Sequence, residues 1–164
     1  MGMFDLIKLL AENKVDFVLV GGLAVALHGY QRVTMDVDIV LAMDASNLER
    51  FITSAKATGL RPVMPVAIES LAQPELLAQW RRDKGLLAFA LQGVEAQATV
   101  LDVLIAPEIP FADLRRDAAE VDVGPYRIRL ASIDHLIAMK SASGRSKDAL
   151  DIEELNKLRD KGRS

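Results

Sequence analysis

The chain of 164 residues has no cysteine, two histidines and few aromatics, with one Trp, two Tyr and five Phe. Without thiols there is no disulfide framework and no thiolate zinc site. That absence fits a reducing compartment. His28 and His135 are too few for a histidine-rich metal centre. Long apolar runs are also missing. The longest, Phe17 to Leu27, is interrupted by Gly21-Gly22 and falls well short of the roughly 20 residues of a membrane span. The N-terminus has neither the basic start nor the small-residue cleavage site of a signal peptide. A soluble, cytoplasmic chain with no membrane partner is expected. There are no repeats or low-complexity linkers, and the length suits one domain over residues 1–164.

What is present is a composition able to build a core. Hydrophobic residues make up 51% and charged residues 26%, which excludes a disordered chain. The formal charge of −3 argues against a general basic surface for nucleic acid. Its distribution is uneven. Residues 140–164 hold 7 basic and 5 acidic side chains, while residues 1–139 hold 13 basic and 18 acidic. An anion is better received by the C-terminal segment, and a cation by the body.

Apolar spacing predicts a helix over Met3 to Asn13. Asp16 to Val20 reads as a short buried strand ending at Gly21-Gly22, followed by a helix over Leu23 to His28. Val37 to Ala42 is the next strand, and Asp44 caps a helix over Asn47 to Thr58. Pro74 opens a helix through Arg82. Leu86 to Gln92 and Gln97 to Ala106 read as neighbouring strands, Phe111 to Ala119 as a short helix, and Val121 to Val123 with Tyr126 to Leu130 as a hairpin turning at Gly124-Pro125. Ser132 caps a helix through Ser141, and Ser146 or Lys147 opens a last one to Lys161, so residues 132–164 form a C-terminal helical segment packing on the rest. The expected class is α+β, a mixed β-sheet with flanking helices.

The stretch Val18 to Val40, VLVGGLAVALHGYQRVTMDVDIV, carries the most chemistry. Gly21 and Gly22 end a strand and leave backbone N–H groups open to an anion at the start of a helix. Asp36 and Asp38 are two apart on a strand and project from the same face, with Met35, Val37 and Ile39 on the other. Two carboxylates that close repel unless a cation stands between them. Oxygen ligands suit Mg²⁺, and two ions about 3.5–4 Å apart stabilise the entering and leaving oxygens of a nucleotidyl transfer. A third carboxylate is then wanted. Asp102, the lone acid in the apolar strand Thr99 to Ile105, is the candidate, because an unpartnered charge there is costly.

Together these residues resemble the DNA polymerase β-type nucleotidyltransferase superfamily: Gly-Gly, then Asp-x-Asp opening a strand, then an apolar strand bearing one Asp. Leu136-Ile137-Ala138-Met139-Lys140 with Gly144-Arg145-Ser146-Lys147-Asp148-Ala149-Leu150-Asp151 is similar to the Lys…Arg-x-Lys-Asp-x-x-Asp segment of its AbiEii-like branch, which includes abortive-infection toxins. The resemblance covers about residues 16–42 and 98–155 and does not extend to the middle, about residues 60–95. It implies a nucleotidyltransferase fold whose Gly21 and Gly22 cradle a triphosphate. Asp36, Asp38 and Asp102 would bind Mg²⁺ (or Mn²⁺), with Asp102 able to activate the acceptor hydroxyl. Arg32 would contact a phosphate or hold the motif loop. Lys140, Arg145 and Lys147 would contact phosphates or acceptor, with Asp148 and Asp151 orienting them. Many members carry Ser where Gly22 stands here.

Each signal has a plainer explanation when taken alone. Asp-x-Asp pairs occur on many exposed strands, and paired glycines often mark only a tight turn. Lys147 and Asp151 fit an ordinary i,i+4 ion pair on a solvated helix. Trp80 beside Arg81-Arg82 suits a core residue at a helix end better than a base-stacking platform. His28 reads as a helix-end residue and His135 as exposed. In combination the motifs favour metal-dependent transfer of a nucleoside monophosphate from an NTP to a hydroxyl, on an RNA end, a protein or a small molecule. The alternative is a non-catalytic nucleotide-binding or antitoxin-like module, the partner of another protein in a toxin–antitoxin pair.

Overall fold

The computed structural model describes residues 1–162; the last two residues of the C-terminal segment lie outside the described residues. In chain order the elements are α1 (Met3–Glu12), β1 (Phe17–Val20), α2 (Gly21–Leu27), β2 (Asp36–Leu41), α3 (Ala45–Ala57) and β3 (Arg61–Pro62). A 3₁₀ turn (Ile68–Ala72) leads into α4 (Pro74–Lys84), β4 (Ala88–Gln92), β5 (Val100–Leu104), α5 (Phe111–Arg116), β6 (Ala119–Val123) and β7 (Tyr126–Leu130). Two helices, α6 (Ile133–Ser143) and α7 (Ser146–Gly162), complete the chain.

The seven strands form one mixed sheet in the order β3-β4-β5-β2-β1-β7-β6. The α+β class expected from sequence is therefore the one found. β1 runs antiparallel to β2, while β2–β5 and β1–β7 are parallel pairs. β1 is apolar throughout because both its faces are covered, whereas β2 is apolar on the side that meets the core. All four residues of β1 are buried, as are Val37, Ile39, Val40 and Leu41 of β2. Leu6, Leu10, Phe51, Leu71, Leu114, Leu136 and Leu155 join the same cluster from the turn and helices around the sheet.

Caps account for where several helices start. The Asp44 carboxylate accepts from Asn47 N at 3.0 Å, and Ser132 Oγ accepts from His135 N at 3.1 Å. Pro74 stands at the first position of α4, and Gly85 closes it in a left-handed conformation at φ +64°.

Four details depart from the sequence reading. α2 starts at Gly21 itself rather than at Leu23, so the glycines belong to its first turn. Met35 lies beyond the start of β2 and is 76% exposed, whereas Val37 and Ile39 are buried as expected. His135 is half-buried, its ring Nε2 lying 3.6 Å from Asp117. The short edge strand β3 was hidden in a proline-rich stretch with no strand-like alternation. Among the described residues no helix is long and apolar enough to cross a membrane.

Candidate active site

Strand pairing brings the sequence-distant acids together. In the parallel β2–β5 pair Asp38 stands directly opposite Asp102, and Asp36 opposite Val100. Directly paired residues share a sheet face, so Asp36, Asp38 and Asp102 lie on one face. The Asp38 and Asp102 carboxyls stand within hydrogen-bonding reach. Asp36 is exposed at the strand's start, and the other two are half-buried.

The electrostatics follow from this crowding. Burial pushes the Asp38 carboxyl up to about 7, and the neighbouring Asp102 and Asp36 push the same way against a partial offset from Lys140. Asp102 is also raised, first by burial and then by Asp36, while its hydrogen bond with Asp38 acts in the opposite direction. The two carboxyls behave as a pair holding one proton over part of the pH range. Such oxygen-only, mutually repelling donors fit a hard divalent cation, which would replace the proton between them. Their present orientation is the paired one. Among the described residues, no group of three or more His, Cys, Asp or Glu side chains is arranged to hold a metal ion.

The paired glycines have reasons inside the protein. Gly21 adopts φ +71°, and a Cβ there would overlap the Asp38 carboxylate, coming within 2.8 Å of its Cγ. Gly22 faces Thr34 Oγ1 at 3.3 Å and Arg32 Cζ at 3.4 Å from an added Cβ. The first turn of α2 is thus packed directly against β2 and the loop before it.

Two of the C-terminal cations are paired inside the protein. Lys140 Nζ is buried and lies 2.8 Å from Asp151 and 3.2 Å from Asp148. Arg145 Nε pairs with Asp148 at 2.9 Å, and Ser143 Oγ donates to the same carboxylate. Arg32 pairs with Asp151, closing a link between the motif loop and α7. Asp148 and Asp151 are the two most buried carboxylates of this group, at 1% and 3% exposure. Burial alone would raise the Asp148 carboxyl, yet hydrogen bonds from Ser143, Arg145 and Lys140 outweigh it and hold it near 2. Lys147, expected with these cations, is exposed on α7 and outside the network. Two contributors escaped the sequence reading. Ser143 carried no signal, whereas Thr34, whose hydroxyl donates to the Asp36 carbonyl at 3.3 Å, stood inside the motif already singled out.

Chains of known structure share this architecture. The lincosamide antibiotic adenylyltransferase LnuA, in its lincomycin-bound structure, is 19% identical with a TM-score of 0.61, over 95% of both chains. An antigenic nucleotidyltransferase-like protein from Paracoccidioides brasiliensis is 17% identical with a TM-score of 0.58, over 94% of this chain and 72% of that one. ANT(2")-Ia, in complex with adenylyl-2"-tobramycin, is 14% identical with a TM-score of 0.55, over 98% and 94%. These likenesses show a shared fold. No family model matches the chain. No curated protein matches it either.

Proposed function

We propose that this chain is a nucleotidyltransferase that moves a nucleoside monophosphate from an NTP to a hydroxyl acceptor, with release of pyrophosphate. The observation that carries the reading is the pairing of Asp38 with Asp102 across β2 and β5, beside the glycine turn of α2 and below Asp36. Half-buried carboxyls that are both held above the usual carboxylate range, first by burial and then by neighbouring acids, suit a cation site better than any structural role. The shared fold with an adenylyltransferase and with ANT(2")-Ia supports the same reading.

Asp36, Asp38 and Asp102 would hold Mg²⁺, or Mn²⁺ in its place. Bound there, the ion would neutralise charge on the transferring phosphoryl group. In the transfer the acceptor oxygen forms a bond to the α-phosphorus while the bond to the pyrophosphate oxygen breaks. The acceptor's proton would go to Asp102, which stands opposite Asp38 at the edge of the site. Gly21 and Gly22 would approach the triphosphate through their backbone N–H groups. Arg32 and Asp151 would hold the motif loop against α7, and Lys140 would bias the field at Asp38. The AbiEii-like branch, and with it a protein partner in a toxin–antitoxin pair, rests on the C-terminal motif alone.

One observation favours a non-catalytic nucleotide-binding module instead: Lys140, Arg145 and Arg32 already neutralise buried carboxylates. A single experiment separates the two. The protein is incubated with each α-labelled NTP, Mg²⁺ and a cell extract. Label transfer lost in both Asp38→Asn and Asp102→Asn supports the enzyme. Nucleotide binding with no transfer to any acceptor leaves only the module.

A further inference from the structure

Deepening the transferase reading and resting on it, we propose that the acceptor lies on the open face of β4 and β5. On this view it is a small, uncharged or cationic hydroxyl compound with an apolar underside, and not a nucleic-acid end.

The register defines this face. Asp102 pairs with Asp38 on one side and with Ala90 on the other, so the three share a face. Val63 N donates to the Ala90 carbonyl at 2.9 Å and continues the row beyond β3. Ala88 stands opposite Leu104, and Val100, which pairs with Asp36, shares the face. The two faces of these strands are unlike. Phe89, Leu91, Leu101 and Val103 point into the core at 0–1% exposure. Ala88, Ala90, Val100 and Leu104 remain half-exposed, and Val63 is 57% exposed. The result is an apolar floor that runs straight up to the Asp102 carboxyl. The side chains at positions 88 and 90 are small.

Charge decides what the floor receives. A phosphate backbone needs Lys or Arg along its path. β4 and β5 contain neither, and β3 offers only Arg61. Arg61 pairs with Gln92 at the edge of the sheet, about 14 Å from β2 at the usual strand spacing. With no Lys or Arg on β4 or β5, and Arg61 at the edge of the sheet, the floor gives a polyanion no row of cations to follow and admits a neutral or positive molecule.

The test uses the intact protein with ¹³C-methyl alanine and reads the Ala88 and Ala90 methyl resonances. The probes are the cationic, neutral and anionic low-molecular-mass fractions of a cell extract, and a short oligoribonucleotide with a free 3′-hydroxyl. Movement of both methyls with the cationic or neutral fraction, and not with the oligoribonucleotide, is the expected result. Movement with the oligoribonucleotide or the anionic fraction overturns the class, and no movement with any probe overturns the surface. Methyl shifts without label transfer from any NTP would uphold the surface and defeat the transferase reading. Transfer without methyl shifts would do the reverse. In the active protein, Ala90→Leu is expected to raise the acceptor KM about tenfold, with the KM for NTP nearly unchanged.

Discussion

At Asp38 a carboxyl that would titrate near 3.8 in the unfolded chain holds its proton to about 7 in the fold. A raised carboxyl pKa means that the folded state binds the proton more tightly. The associated stability is fully present below about pH 4 and is lost as pH rises through 7. Asp38→Asn is therefore expected to be more stable than the parent at pH 8 and to gain little at pH 5, as read from urea midpoints at the two values. Added Mg²⁺ should raise the parent's midpoint at pH 8 and leave that of Asp38→Asn nearly unchanged. A parent curve flat between pH 5 and 8 would contradict the crowding of these carboxyls. Gly21 is the second position where one residue decides. Its φ of +71° and its contact with Asp38 leave no place for a methyl group. Gly21→Ala should cost about 2 kcal/mol of unfolding free energy, with a reduced affinity for divalent ions in titration calorimetry.

Among the elements, α6 and α7 are joined by charge as well as by apolar packing. Leu136 and Leu155 reach the core, while Lys140 and Arg145 converge on Asp148, and Lys140 and Arg32 on Asp151. Removing one partner of a buried pair leaves the others uncompensated. Asp148→Ala should lose about 3 kcal/mol in denaturant unfolding. Lys147→Ala, one residue away and exposed, should stay within about 0.5 kcal/mol of the parent. Asp148 also carries the opposite pH sign to Asp38. Its depressed pKa stabilises the fold above about pH 4, and that contribution is lost as pH falls toward 2. Acid unfolding should therefore begin at higher pH in Asp148→Asn. The helices themselves were readable from Asp44, Pro74 and Ser132, because caps act within a single turn. β3 was not, since a two-residue edge strand owes its existence to its neighbour β4.

For the molecule as a whole, one hydrophobic cluster spans both halves of the sheet and takes side chains from α1, α3, α6 and α7. A shared core of this kind predicts unfolding in one step. Trp80, the sole tryptophan, stands on α4, far along the chain from α7. Its fluorescence and the far-ultraviolet circular dichroism should give coincident transitions in urea. An earlier transition in either signal would mean that residues 132–164 form a separate unit.

The amino-acid order by itself determined the type and rough position of most elements, the α+β class, and the candidacy of Asp36, Asp38 and Asp102. These follow from local periodicity, caps and the cost of a lone acid in an apolar strand. The tertiary structure alone decided that Asp38 faces Asp102, because a pairing register is set between strands more than 60 residues apart. It also decided that Lys140, Arg145 and Arg32 meet Asp148 and Asp151 in one network. Charge balance in a buried volume depends on which helices meet there, and no local pattern encodes that meeting.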